Sequence, residues 1–274
     1  MPNTALAASE IRGAPAHADE HAIRLRDVCF TYASGSRSVD ALSNITFDVK
    51  PRQFLSIVGP SGCGKSTLLR MLAGFLTPTS GEVTINGVSP AQARAQGLLS
   101  IVFQQPVLLP WRDVLSNVAF LLELQGMPRA EREERARSYI ELAGLTGFER
   151  HRPDQLSGGM QQRASIARAL AFNPSILLMD EPFGALDAIT RDRMAFDLLR
   201  ICKSAQKTVV FITHSVQEAV LLSDFVIVMT PRPGRIHQMH LVEIDRPRGK
   251  EHMLQPGFIA LTRRLIEDLQ STSP

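Results

Sequence analysis

"FLSIVGPSGCGKSTLLRMLAGF", residues 54–75, joins two different patterns across a run of glycines. Its first five residues are apolar except Ser56 and do not alternate, as suits a strand buried on both faces, and from Lys65 onward the pattern turns helical. Between them Gly59, Pro60, Ser61, Gly62, Cys63, Gly64, Lys65, Ser66 and Thr67 fit G-x-x-x-x-G-K-[ST] in the context that pattern demands, strand before and helix after. Glycines there let backbone N–H groups turn inward around a phosphate chain, and the helix points the positive end of its dipole at the same anion. Lys65 is placed to reach the β- and γ-phosphates of a nucleotide, and the Ser66 hydroxyl to hold Mg²⁺.

Upstream of this junction, "IRLRDVCFTY" (23–32) and "ITFDV" (45–49) alternate at period two across a turn-rich connection, "ASGSRSVDALSN" (33–44), and predict an antiparallel β layer. Downstream come "GEVTINGV" (81–88) and "LLSIVFQQ" (98–105) as β stretches. Residues 112–171 read as mostly helical, "PRAEREERARSYIELAGL" (128–145) being the clearest amphipathic segment. Strands then return: "SILLMDE" (175–181), "TVVFITH" (208–214) and "FVIVMT" (225–230) alternate with helical stretches, the rhythm of parallel βαβ units. The fold class that follows is α/β: a phosphate-loop core with an antiparallel β subdomain and an inserted helical subdomain over about 106–171. Residues 1–21 read as a flexible tail, 22–240 as the main domain, and 241–274 as an extension with a strand and a helix.

Composition sets bounds around this reading. The chain has 274 residues, 44% hydrophobic and 21% charged, enough for a substantial core. A net charge of only +3, with Lys and Arg scattered, gives no footing for a nucleic-acid partner. Cys29, Cys63 and Cys202 are far apart and odd in number, which suits a reducing compartment better than a disulfide framework. No apolar run approaches the about 20 residues needed to cross a bilayer, and the N-terminus lacks the pattern of a secretory signal.

Two further strand ends carry chemistry. "ILLMD" (176–180) drives a buried strand whose C-terminal tip offers Asp180 and Glu181, at the edge where parallel sheets bind ligands. Beside a phosphate loop these acids suggest Asp180 at the metal through water and Glu181 polarising the attacking water. His214 ends "TVVFIT" (208–213) and is placed to bond a γ-phosphate and fix that water with Glu181. Cys63, inside the loop and next to a helix N-terminus and Lys65, is expected to have its thiolate favoured.

"LSGGMQQR" (156–163), taken with the phosphate loop and "LLMDEP" (177–182), resembles the signature of ATP-binding cassette ATPases. The other motifs of that family occur in order: Tyr32 for the adenine ring, Gln104 in "VFQQP" as a metal and nucleotide contact, "ALD" (185–187), and His214. The likeness spans about residues 22–240. It implies ATP and Mg²⁺ as cofactors and a head-to-tail homodimer. The turn of Ser157, Gly158 and Gly159 in one copy would then close over the ATP held by the other, with Asp187 near the dimer contact. Tyr32 can equally be core packing on its strand, Asp187 a helix cap, and the helix of residues 156–170 a packed core element through Met160, Ala164, Ala167 and Leu170.

"LLPWRDVLSNV" (108–118), "DEPFGALDAITR" (180–191) and "PRPGRI" (231–236) look like the importer ATPases that serve nitrate, sulfonate, taurine and related anions in bacteria. That likeness implies two separate transmembrane permease subunits, a periplasmic binding protein acting indirectly, and a peripheral position on the cytoplasmic face of the inner membrane. Gln104 to Trp111 would receive a permease helix, unless Trp111 is an ordinary buried aromatic. Ser215 departs from the Asp usual after the histidine. A soluble family member acting on ribosomes or DNA is the alternative; such proteins usually carry tandem cassettes or a long coiled-coil insertion, and this sequence has neither.

Overall fold

In the computed structural model, which describes residues 21–34, 37–184 and 186–272, the chain opens with an antiparallel pair, β1 (Ile23–Ser34) and β2 (Arg37–Val49). The expected tail lies, up to residue 20, outside the described residues, as does Ala185 of the "ALD" motif. The stretch read as a turn-rich connection is mostly β2. Register shifts along β1 and left-handed residues at Asp27 (φ 48°) and Asn44 (φ 55°) break the period-two pattern by which a strand is recognised.

Then follow β3 (Phe54–Val58), α1 (Lys65–Leu72), β4 (Ser80–Ile85), α2 (Pro90–Ala95) and β5 (Leu99–Val102). Three helices come next: α3 (Val114–Leu124), α4 (Arg129–Leu142) and α5 (Gly158–Ala171). The α/β rhythm resumes with β6 (Ile176–Asp180), α6 (Ala188–Ala205), β7 (Thr208–Ile212), α7 (Val216–Leu222), β8 (Phe225–Met229), β9 (Ile236–Leu241) and α8 (Pro256–Ser271). Among the described residues the strands form two sheets, ordered β2-β1-β4 and β5-β6-β7-β3-β8-β9.

Every residue of β3 is buried because parallel neighbours β7 and β8 flank it and its two faces enter separate apolar cores, Leu55 and Ile57 one and Phe54 and Val58 the other. Parallel register sets Ile57 opposite Ile212, and Ile212 opposite Asp180. Three strands therefore end at one edge, which gathers the phosphate loop, Glu181 and His214 by topology alone.

The helices α3, α4 and α5 share their own core, including Leu115, Val118, Ile140, Ala164 and Ala167. On α4 that face is narrow: only Ala136 and Ile140 are buried, against the broader amphipathicity expected. Asn117, fully buried, fixes the loop entering α3. It accepts from Leu109 N–H at 2.7 Å and donates to the carbonyls of Leu109, Arg112 and Asp113 at 3.0–3.1 Å. Trp111 in that loop is 69% exposed and so is not the buried aromatic of the alternative reading.

The strand expected in 241–274 falls before that range, since β9 is Ile236–Leu241; beyond it, among the described residues, lie a 3₁₀ turn and α8, whose Phe258 and Leu265 are buried. Arg248 ties this region to α7. Its guanidinium donates to the carbonyls of Val220, Leu221, Ser223, Val242 and Ile244 at 2.6–3.3 Å, meeting the negative end of the helix. Burial, with Arg246 nearby, draws its pKa down to about 10. Arg248→Ala strips five carbonyls, four of them in buried bonds, of their donor and should lower the unfolding free energy by about 2–4 kcal/mol, measured by urea denaturation.

Candidate nucleotide site

The loop after β3 winds into α1 through Gly62 (φ 77°) and Gly64 (φ 105°). A Cβ on Gly64 would stand 2.7 Å from Leu42 and 2.8 Å from the Ala41 carbonyl, so the left-handed turn and the close approach of β2 both call for glycine. Lys65, 7% exposed, folds inside this turn and donates to the carbonyls of Gly59 (2.8 Å) and Pro60 (3.0 Å). The result is a cleft of about 420 Å³, with Ser61, Gly62, Gly64, Ser66 and Thr67 along one wall and Tyr32 at one side.

Tyr32 is 40% exposed, stands edge-on to Phe30, and shares a hydroxyl hydrogen bond with Thr67 at 3.1 Å. It lines the cleft and is not in the core. Cys63 is 1% exposed, packed behind the loop near Gly59 and Met229. The expectation of a favoured thiolate is therefore wrong: burial raises the thiol pKa, and the opposing pull of Lys65 does not overcome it.

From the loop Ser66 Oγ donates to Asp180 Oδ1 at 3.3 Å. Burial raises the Asp180 carboxyl above its usual range despite that bond. A hydroxyl and a carboxylate side by side are the hard oxygen donors that Mg²⁺ takes when it binds through few protein ligands plus phosphate oxygens, so the residues present fit the ion. Glu181 holds a left-handed backbone (φ 44°), unusual for this residue, as it leaves β6. One of its oxygens, Oε2, lies 3.4 Å from Gln104 Nε2 and 3.3 Å from His214 Nδ1. Gln104, Glu181 and His214 thus meet at one carboxylate.

Ser157, Gly158 and Gly159 do not line this cleft. Ser157 caps α5 by accepting from Met160 N–H, while Ser157 and Gly158 are exposed and Gly159 sits against Thr190 and Leu186. Behind the exposed turn, α5 packs through Ala164, Ala167 and Leu170, so its end and its body have separate surroundings. Asp187 caps α6 by accepting from Thr190 N–H at 3.0 Å, and Ser215, in place of the family's usual Asp, caps α7 by accepting from Glu218 N–H.

Two groups escaped the sequence reading. Glu218, 8% exposed, accepts from Thr213 Oγ1 at 2.5 Å and lies 3.7 Å from Arg191 Nε; Arg191 in turn donates to the Leu186 carbonyl. One buried carboxylate thereby joins the residue before His214 to the entry of α6. Its only sequence signal was its place four residues after the histidine. Arg232 lines the cleft from the "PRPGRI" segment.

Residues 42–184 match the ABC transporter family. The chain is 52% identical over 237 residues to an uncharacterized ABC transporter ATP-binding protein of Methanocaldococcus jannaschii, covering 86% of each chain. It is 48% identical over 249 residues to the taurine import ATP-binding protein TauB of Burkholderia pseudomallei, covering 89% of this chain and 95% of that one. Among solved structures it resembles the ATP-binding cassette MJ0796, dimeric in a post-hydrolysis state bound to ADP and Pi. That match has a TM-score of 0.73 and 35% identity, and covers 81% of this chain and 100% of that chain.

Proposed function

The chain belongs to the ABC transporter family of ATP-binding proteins, and from that membership we propose that it powers a bacterial importer for a small anion of the taurine, sulfonate or nitrate kind. The likeness to TauB proteins over most of both chains supports the substrate class. In this reading two copies face each other head to tail. The turn of Ser157, Gly158 and Gly159, exposed at its first two residues, and the positive end of α5 complete the cleft of the opposite copy. The observation that carries the reading is the half-built cleft: one wall has the phosphate loop, while the anion-seeking turn of the same chain stands exposed elsewhere. Dimeric assembly of the solved cassette supports it.

Within each composite site Lys65 and the loop N–H groups bear the phosphate charge. Tyr32 supports the base, and Glu181 takes a proton from the attacking water, oriented by Gln104 and His214. Ser66, Gln104 and Asp180 would hold Mg²⁺, which when bound neutralises charge on the phosphoryl oxygens.

The permease is received in an apolar groove lined by Phe75, Phe103, Val107, Leu109, Phe120 and Phe172, with exposed Trp111 in the same loop as Val107 and Leu109. Phe103 adjoins Gln104, so the groove and the hydrolytic carboxylate share one segment of chain. Closure on ATP draws the permease toward its outward-facing state, and hydrolysis releases it. A periplasmic binding protein delivers the solute, and the ATPase sits on the cytoplasmic face of the inner membrane. No described helix is long and apolar enough to cross a membrane, which accords with separate spanning subunits. Capture of the tagged protein from solubilised membranes should retain two spanning subunits; retention of ribosomes or DNA alone would refute the transporter assignment.

A further inference from the structure

The segment Thr230–Ile236, so far used only for its likeness to importer ATPases, is folded onto the phosphate loop. Gly234 N–H donates to the Ala41 carbonyl and Ser43 N–H to the Gly234 carbonyl, each at 2.9 Å. A Cβ on Gly234 would stand 2.0 Å from the Cys63 carbonyl oxygen, so only glycine permits the two loops to pack this closely. That contact sets Arg232 on the rim of the cleft, where its Nε and Nη2 donate to the Gly62 carbonyl at 3.3 and 3.2 Å.

One carbonyl cannot satisfy a guanidinium, which carries five N–H donors and a charge that persists at any physiological pH. Among the described residues no carboxylate pairs with Arg232. The acid that shares the cleft, Glu181, is already engaged by Gln104 and His214. Lys65 is likewise occupied with loop carbonyls. Arg232 is thus an exposed, unneutralised cation beside Gly62, inside the phosphate-cradling turn, with donors to spare.

We propose that Arg232 is a nucleotide-binding residue, lending its guanidinium to the phosphate chain of ATP from the rim of the cleft. The inference rests on the cleft being the ATP site and adds a cation that the general motifs do not contain. Because Arg232 is exposed, its contribution is moderate and falls with salt.

Equilibrium binding of ATP and of adenosine to Arg232→Gln, Arg232→Lys and Lys65→Ala tests it. Glutamine can still donate to the Gly62 carbonyl but carries no charge, so it separates bracing of the loop from attraction of phosphate. Arg232→Gln should weaken ATP about 5- to 20-fold at low salt, with the loss shrinking in high salt and adenosine hardly affected. Arg232→Lys should recover most of the affinity. ATP affinity for Arg232→Gln within about twofold of wild type would overturn the proposal, as would equal losses for ATP and adenosine. Lys65→Ala distinguishes the two failures: if it binds ATP normally the cleft itself is misassigned, and if it alone loses ATP only the role of Arg232 falls.

Discussion

Glu181→Gln is expected to leave ATP binding intact while slowing turnover about 10²- to 10⁴-fold. The substitution changes neither the length nor the branching of the side chain, and its amide can still meet Gln104 and His214 at the positions the carboxylate oxygen holds. What it removes is the ability to accept a proton from water. Closure driven by ATP and reopening driven by hydrolysis then come apart, so the variant should accumulate as an ATP-bound dimer, visible by size-exclusion chromatography with light scattering. A turnover rate equal to wild type would take the base role away from Glu181. Since Gln104 reaches the same oxygen from the segment beside the apolar groove, loss of the carboxylate charge should also weaken any effect of permease on the rate.

Lys65→Ala acts one step earlier, on binding. Lys65 is almost fully enclosed by the loop, and its ammonium already rests on the Gly59 and Pro60 carbonyls, pointing into the space the glycines create. A charge-assisted bond from such a group to phosphate contributes about 2–4 kcal/mol, which corresponds to an affinity loss of about 30- to 1000-fold. Direct titration with ATP should show that loss, and dimerisation on ATP should disappear with it. Normal ATP affinity would mean that the glycine-rich turn is not the phosphate cradle.

The core of the fold was legible because its signals are local. A mainly apolar run, a glycine turn and a helix in residues 54–75 carry their own chemistry, and the runs ending at Asp180 and Thr213 share the same buried-strand pattern. Parallel pairing then brings their ends together, which no single segment states but which the βαβ rhythm implies. Strand β2 was obscured for a physical reason: bulges and left-handed Asp27 and Asn44 shift which residues face inward.

Cys63 misled because proximity to Lys65 is visible in sequence whereas burial behind the loop is not, and burial dominates its titration. Glu218 and Arg232 were missed since each acts through partners remote in the chain: Glu218 through Arg191, and Arg232 through Gly62, 170 residues away. Trp111 showed the opposite case, an aromatic whose exposure is decided by Asn117 anchoring the loop beneath it.

All of this depends on ATP being enclosed by two copies of the chain. Mixed dimers purified through two different tags test that most directly, using Lys65→Ala to break the phosphate loop and Gly158→Asp to set a negative charge at the start of α5. A Cβ on Gly158 meets nothing within 4 Å, so the second change spares the fold. With one substitution on each copy, the account predicts that one complete site survives and a single nucleotide is retained on closure. With both on the same copy, neither site is complete and none is retained. The reverse pattern, retention only when both substitutions share a copy, would show that each chain closes over its own nucleotide and would contradict the account.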